Sequence, residues 1–137
     1  MFGSGHSKPQ NRIDSLIGAG TRIVGDVHFA GGLRVDGEID GSIIASPGKP
    51  STLVLSENAM VTGNVTVPHI ITNGTIKGNV RAAERIELQP KAEISGDVYY
   101  KVIEMSLGAV INGNLLREAV EANKGTVTRL KSASEGS

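Results

Sequence analysis

The sequence predicts an all-β fold, in which a single chain winds into a three-sided parallel β-helix of about six turns. A short phrase, small–x–[IV]–x–Gly–polar–[VIL], recurs six times within the 137 residues. Its copies lie about 17 residues apart, which is too short for two helices and a turn. Apolar residues inside each copy come in pairs two positions apart, the alternation typical of a β-strand. Three such strands per repeat indicate a coil with three flat sides.

The repeated glycine is predicted to occupy one corner of every turn, where a Cβ would clash or φ must be positive. The intervals between these glycines are 16, 22, 15, 18 and 17 residues. The long interval contains SPGKPS at 46–51, whose prolines and glycine predict an outward loop. The six corner positions are Gly25, Gly41, Gly63, Gly78, Gly96 and Gly113.

The residue after each corner glycine is polar, and we expect these side chains to form a ladder along neighbouring turns. They are Asp26, Ser42, Asn64, Asn79, Asp97 and Asn114.

The inward residues are clearest after Gly78, where successive apolar pairs begin six residues apart. We expect each pair to stack on its counterparts in the next turn, with backbone hydrogen bonds between turns about 4.8 Å apart. The core is therefore built from Ile, Val, Leu and Ala, in keeping with an aromatic content of 3%. The pairs are Val80/Ala82, Ile86/Leu88, Ala92/Ile94 and Val98/Tyr100.

The chain divides into a coil and two tails. Residues 1–14 are polar and glycine-rich and are predicted to be disordered. The coil is predicted to span residues 15–118. Residues 119–137 are predicted to be mostly disordered, although LLREAVEAN at 115–123 is compatible with one or two helical turns.

Composition argues against several classes of protein. The 14 basic and 14 acidic residues balance to zero net charge, so there is no electrostatic case for a nucleic-acid partner. The chain has no cysteine, which excludes disulfides and thiolate zinc sites. No stretch approaches the roughly 20 apolar residues that span a bilayer. The opening MFGSGHSKPQ also lacks the apolar run of a secretory signal.

The two ends of the coil are the predicted working surfaces. A solenoid exposes unpaired backbone and apolar core at its terminal turns unless polar caps cover them. Uncapped ends favour end-to-end stacking, and stacking that does not close on itself gives filaments. The predicted polymer contacts are Leu16 and Ile17 at the start, with Leu115, Leu116 and Val120 at the finish.

The repeated IxGDV and IxGNV phrases, and above all RIDSLIGAGTRIVGDVHFAGGLRVDGEIDGSI at 12–43, resemble the bactofilins. The resemblance covers about residues 13–118. It implies a right-handed β-helix and a bacterial cytoskeletal protein that polymerises through its terminal turns without nucleotide or other cofactor. It also implies a cytoplasmic polymer at the inner face of the cytoplasmic membrane. Such a scaffold would position peptidoglycan synthases, hydrolases or their membrane regulators to shape the cell.

The resemblance also implies a membrane-targeting segment, since bactofilins often reach the membrane through a short N-terminal stretch with an aromatic residue and nearby lysines. The matching residues here are Met1, Phe2 and Lys8. One Phe and one Lys bind lipid weakly in a monomer, because stable anchoring takes more than one signal. A polymer presents many copies, and avidity would strengthen the attachment. An ordinary flexible start is the alternative.

A β-helix also supports enzymes, so catalytic residues need consideration. Left-handed hexapeptide-type trimers include acyltransferases and carbonic-anhydrase-like zinc enzymes, and a zinc site there needs three or four converging ligands. His6 falls in the N-terminal tail, whereas His28 and His69 follow strands in turns about two apart. No third ligand is evident, and the repeat keeps no strict six-residue step. This enzyme is the alternative to the filament, and a monomeric adaptor is a third option.

A short acidic stretch, VDGEID, is the remaining candidate for chemistry. Asp36, Glu38 and Asp40 alternate, so they are predicted to share a face of one strand, where three acids could hold a cation. The favoured interpretation is a solvated outer face, with Val35 and Ile39 turned inward.

Overall fold

The structure is a computed structural model that describes residues 13–118, and every regular element in that range is a strand. No helix able to cross a membrane occurs in the described part of the chain. The sixteen strands are β1 (Ser15–Ile17), β2 (Arg22–Val24), β3 (Val27–Phe29), β4 (Gly31–Val35), β5 (Glu38–Asp40), β6 (Ile43–Ala45), β7 (Ser51–Leu55), β8 (Met60–Thr62), β9 (Val65–Thr66), β10 (His69–Thr72), β11 (Thr75–Lys77), β12 (Val80–Leu88), β13 (Glu93–Ser95), β14 (Val98–Met105), β15 (Val110–Asn112) and β16 (Leu115–Arg117).

All pairings between strands are parallel, and each strand pairs with its counterpart one turn away. The strands form three walls. The first wall contains β1, β4, β7, β10 and the second halves of β12 and β14. The second wall contains β2, β5, β8, β11, β13 and β15. The third wall contains β3, β6, β9, the first halves of β12 and β14, and β16.

Each wall therefore has six layers, and the chain makes six three-sided turns, which confirms the predicted fold class. β1 to β3 form turn 1, β4 to β6 turn 2, β7 to β9 turn 3, and so on to turn 6 with β15 and β16. β12 and β14 each bend from the third wall to the first, with a register irregularity between Ala82 and Arg85. The right hand of the coil stays a prediction from the family resemblance.

The core consists of columns of apolar side chains that run along the inside of each wall. Because side chains alternate along a strand, one residue in two points inward. The predicted inward pairs between Val80 and Val98 are all buried, and Tyr100 is partly buried. The column of the second wall is the most regular: Ile23, Ile39, Val61, Ile76, Ile94 and Ile111.

The corner glycines sit directly above one another. A Cβ added to Gly63 would lie 2.1 Å from the carbonyl oxygen of Gly41, well inside van der Waals contact. The same close approach holds one turn apart at Gly41, Gly78, Gly96 and Gly113. Gly25 belongs to turn 1, which no described turn precedes, and no described neighbour lies within 4 Å of a Cβ added there. Stacking itself therefore demands glycine at this corner.

The polar residues after these glycines do form a ladder, and it joins side chains to backbone. Each side-chain oxygen accepts a hydrogen bond from the backbone N–H of the equivalent residue one turn later. The five N···O distances are 2.9, 3.2, 3.0, 3.0 and 3.1 Å from Asp26 through to Asn114. An Asp, Asn or Ser at this position therefore gives the corner N–H of the next turn a protein acceptor in place of water.

Two local predictions are wrong. Leu115–Arg117 is a strand paired with β14, because the open edge of turn 5 offers backbone partners that a helical turn would forgo. The remainder of 115–123 beyond Glu118 lies outside the described residues. Asp36 does not share a strand with Glu38 and Asp40, because the chain turns a corner at Gly37. A Cβ at Gly37 would lie 2.3 Å from the carbonyl oxygen of Thr21.

Candidate functional site

Within residues 13–118, the first turn leaves one end of the core open. Its inward residues Ile17, Ile23, Val27 and Phe29 are only partly buried, although they belong to the same columns as the core. One turn further in, Val35, Ile39 and Ile43 are 0% exposed. The difference arises because turn 1 has a neighbouring layer on one side only. Turn 1 thus presents a flat apolar end, which we call the N-terminal end face.

The last described turn leaves the other end open in the same way, since no described residue covers it. Met105 and Leu115 are each 46% exposed, whereas Leu88 and Val98, one turn earlier in the same columns, are 0% exposed. Ile103 and Ile111 complete this C-terminal end face and are partly buried. Both end faces are therefore cross-sections of one continuous core.

Polar backbone accompanies the apolar side chains at both ends. Within residues 13–118, the strands of turn 1 pair only with turn 2, and those of turn 6 pair only with turn 5. Each end therefore carries a row of N–H and C=O groups without a strand partner on its outer side. Such edges are templates for pairing with another chain. An added layer would satisfy these groups and bury the apolar columns at once.

The register divides the predicted contact residues into two kinds. Ile17 aligns with Val35 and Leu115 aligns with Val98, so both end core columns. Leu16 aligns with Arg34 and Leu116 with Tyr99, so both lie in outward-facing columns at the rim. Val120 lies outside the described residues, as do Met1, Phe2, Lys8 and His6.

Sequence reasoning missed most of the end faces. Ile23, Val27 and Phe29 at one end, and Ile103 and Ile111 at the other, finish the inward columns as fully as Ile17 and Leu115 do. The signal was present in the repeat, because counting the apolar pairs back to the first turn and forward to the last identifies the same residues.

One inward column ends in a charge. Arg117 occupies the position that Tyr100 holds one turn earlier, yet its side chain is exposed. Its Nε donates a hydrogen bond to the carbonyl oxygen of Lys101, at 3.2 Å. The guanidinium therefore lies at the edge of the C-terminal end face, beside the apolar residues.

The candidates for catalysis or metal binding do not converge. His28 lies within β3 on the third wall, and His69 lies within β10 on the first wall. Burial lowers the pKa of His69, so its imidazole is neutral at pH 7. In residues 13–118 no group of three or more His, Asp or Glu side chains is arranged to hold a metal ion.

The acidic stretch is engaged in salt bridges at the surface. Arg22 Nε donates to Asp40 Oδ2 at 3.1 Å and lies 3.9 Å from a Glu38 oxygen. The hydrogen bond to Asp40 raises the pKa of Arg22. Asp36 is bound separately by Arg34, at 3.1 Å. Val35 and Ile39 are fully buried beneath, as the solvated-face interpretation predicts.

Comparison with known proteins finds one family profile and one curated protein that match this sequence, and both are bactofilins. The sequence profile of the Bactofilin family, described as polymer-forming cytoskeletal, matches residues 15–116. Bactofilin BacP of Myxococcus xanthus (strain DK1622) is 26% identical over 118 residues, which is 86% of this chain and 48% of that protein. The chain thus spans about half the length of this curated relative. No solved structure gives a significant match.

The profile match covers nearly all of the coil, from β1 to β16, and the chain belongs to the bactofilin family.

Proposed function

We propose that this protein is a bacterial cytoskeletal scaffold that polymerises end to end through its terminal β-helix turns, without nucleotide. Membership of a polymer-forming cytoskeletal family supports self-association. The observation that carries the end-to-end geometry is the pair of open end faces. Leu115 is 46% exposed in the last turn, and the equivalent Val98 is fully buried one turn earlier.

The driving force is the burial of the two end faces against each other. Apolar surface contributes about 25 cal/mol for each Å² removed from water. Docked end faces also gain backbone hydrogen bonds, because the outer groups of the terminal strands find partners. Ile17 and Leu115 make the central contacts in this proposal. Leu16 and Leu116 contribute at the rim, and Val120 follows the last strand.

The polymer acts, in this proposal, at the inner face of the cytoplasmic membrane, where it positions cell-wall synthases or hydrolases and thereby helps to set cell shape. The family resemblance supports this location and role. Met1, Phe2 and Lys8 provide the membrane contact, each copy weakly and the polymer strongly through avidity.

Negative-stain electron microscopy of the purified protein, with no nucleotide added, tests the polymer. Long thin filaments with an axial repeat set by stacked coils are expected. A single monomeric species over a wide range of concentration and salt would refute the proposal and favour an adaptor. Compact trimers with bound zinc or acyl-transfer activity would instead favour the hexapeptide-type enzyme.

The membrane contact has its own test. Filaments are sedimented with vesicles of phosphatidylglycerol and phosphatidylethanolamine, comparing wild type with Phe2→Ser. The variant is expected to lose most vesicle binding while its filaments remain, because it lacks the apolar Phe2 side chain that would insert into the membrane. Ser7→Ala in the same segment is the control and should bind as wild type does. Equal binding by Phe2→Ser and wild type would refute the assignment of Phe2.

A further inference from the structure

The outer surface of the first wall carries a pattern of apolar and charged side chains that is separate from the apolar cores of the two end faces. Its outward column, one residue from each turn, runs Leu16, Arg34, Val54, Ile71, Glu87 and Glu104. The middle two residues are apolar and partly exposed. A cation lies before them and two anions lie after them. The column is therefore apolar at its centre and oppositely charged on the two sides.

The charged residues on either side of the apolar centre, Arg34 and Glu87, can each form a further ion pair. Glu87 forms no salt bridge among the described residues. Arg34 is bound by Asp36 through its Nε, at 3.1 Å, and its side chain remains 45% exposed. A guanidinium has five N–H donors in a planar fork, so Arg34 can bind a second carboxylate while it keeps Asp36.

We propose that two filaments pair side by side and antiparallel through their first walls, related by a two-fold axis that crosses the wall between turns 3 and 4. This operation places turn 3 of one filament opposite turn 4 of the other, turn 2 opposite turn 5, and turn 1 opposite turn 6. Val54 then meets Ile71 of the other copy, and Arg34 meets Glu87 of the other copy. Each contact occurs twice, as an isologous interface requires. The proposal rests on the end-to-end polymer proposed above.

The other two walls do not fit the same operation. On the second wall the equivalent positions in turns 2 and 5 are Glu38 and Glu93, which would oppose like charges. On the third wall they are Ile44 and Tyr99, so no ion pair forms. Opposed like charges disfavour an interface and complementary charges fix its register. The first wall alone, of the three described, combines an apolar centre with complementary charges.

A parallel arrangement of two first walls is less well matched. It would bring Glu87 opposite Arg85, the neighbouring outward position in the same turn. Arg34 would then face Gly32 and gain nothing. The antiparallel arrangement uses both flanking charges, so it is the one we infer.

The small area of the first wall explains why we expect pairing between filaments and not between single protomers. Six turns at about 4.8 Å and strands about 13 Å long give a wall on the order of 400 Å² per protomer. Two such walls bury about 800 Å², below the roughly 1,200 Å² of stable protein–protein interfaces. Isolated protomers should therefore not dimerise through this wall. Where end-to-end stacking continues the first wall from one subunit to the next, the contact repeats at every subunit, and avidity makes it effective.

Charge reversal with mixing tests the arrangement. Filaments of Arg34→Glu and of Glu87→Arg are each expected to remain single, because two like charges oppose each other in every copy of the contact. Preformed filaments of the two variants, once mixed, should pair, since a carboxylate then faces a guanidinium at both copies of the contact. The double variant should also pair with itself. Filament width is measured by electron microscopy, and pelleting at low speed measures pairing against total polymer at high speed.

The matched control is Lys77→Glu, a charge reversal in the other outward column of the second wall, where the same operation places the uncharged Thr62 opposite it, so pairing should be unchanged. Thermal unfolding shows whether each variant keeps the coil. Paired filaments in both single variants, or no pairing in the mixture, would overturn the proposal. Wild-type filaments that stay single at every salt concentration would overturn it too and leave the end-to-end polymer intact. Absence of any filament would overturn both.

Discussion

Leu115→Asp should block filament growth and leave the coil folded. Leu115 ends a core column and is 46% exposed in the free protein. Burying a whole Leu side chain contributes about 1.5–3 kcal/mol, so stacking gains about 1 kcal/mol from the exposed half. Placing a carboxylate there adds a desolvation cost of several kcal/mol. A total near 4 kcal/mol raises the critical concentration about a thousandfold, at 1.4 kcal/mol for each factor of ten.

The measurement is the critical concentration from pelleting, together with filament length in negative stain. Leu116→Asp is the matched control, because it makes the same substitution one residue later in the outward column beside Tyr99. It should change the critical concentration by no more than about tenfold, the range of a rim contact. A thermal unfolding midpoint within several degrees of wild type is expected for both. Filaments at wild-type concentration in Leu115→Asp would refute the end-face contact.

The remaining predictions concern the coil itself. Gly63→Ala should lower the free energy of unfolding by about 3 kcal/mol, because the new Cβ would lie 2.1 Å from a carbonyl oxygen one turn away. Gly18→Ala, where nothing lies within 4 Å, should cost no more than about 0.5 kcal/mol, and equal effects would contradict the stacking argument. Burial lowers the pKa of His69, so the unfolded chain binds more protons in mild acid. Stability should therefore fall as pH drops below about 6.5, and His69→Gln should reduce that loss in denaturant titrations. An identical pH dependence in both proteins would contradict it.

Much of the coil was predictable because its repeat is short and recurs in every turn. The spacing from Gly63 to Gly113 and the pairs from Val80 to Val98 follow from strand alternation and close stacking. Prediction failed where one turn departs from the repeat. VDGEID alternates like a single strand, yet the chain turns a corner at Gly37, where the carbonyl oxygen of Thr21 one turn away leaves no room for a side chain. That neighbour is remote in sequence, so local alternation cannot reveal it.

The end faces were predictable as a location and less so as a set of residues. Leu115 and Leu116 are adjacent apolar residues, and the sequence does not distinguish which of them belongs to the end face. Their roles separate only because β16 pairs with β14 in a fixed register, which turns Leu115 inward and Leu116 outward.

The period, the three-sided parallel coil and the aliphatic composition of its core can be predicted from residue order, because they depend on spacings within about 17 residues. Which residues of distant turns share a column emerges only from the folded coil. The outward sequence of Arg34, Val54, Ile71 and Glu87 is spread over more than 50 residues of chain and forms one line only when the turns stack in register. Backbone pairing between turns sets the register of the strands, and this register determines which side chains are neighbours.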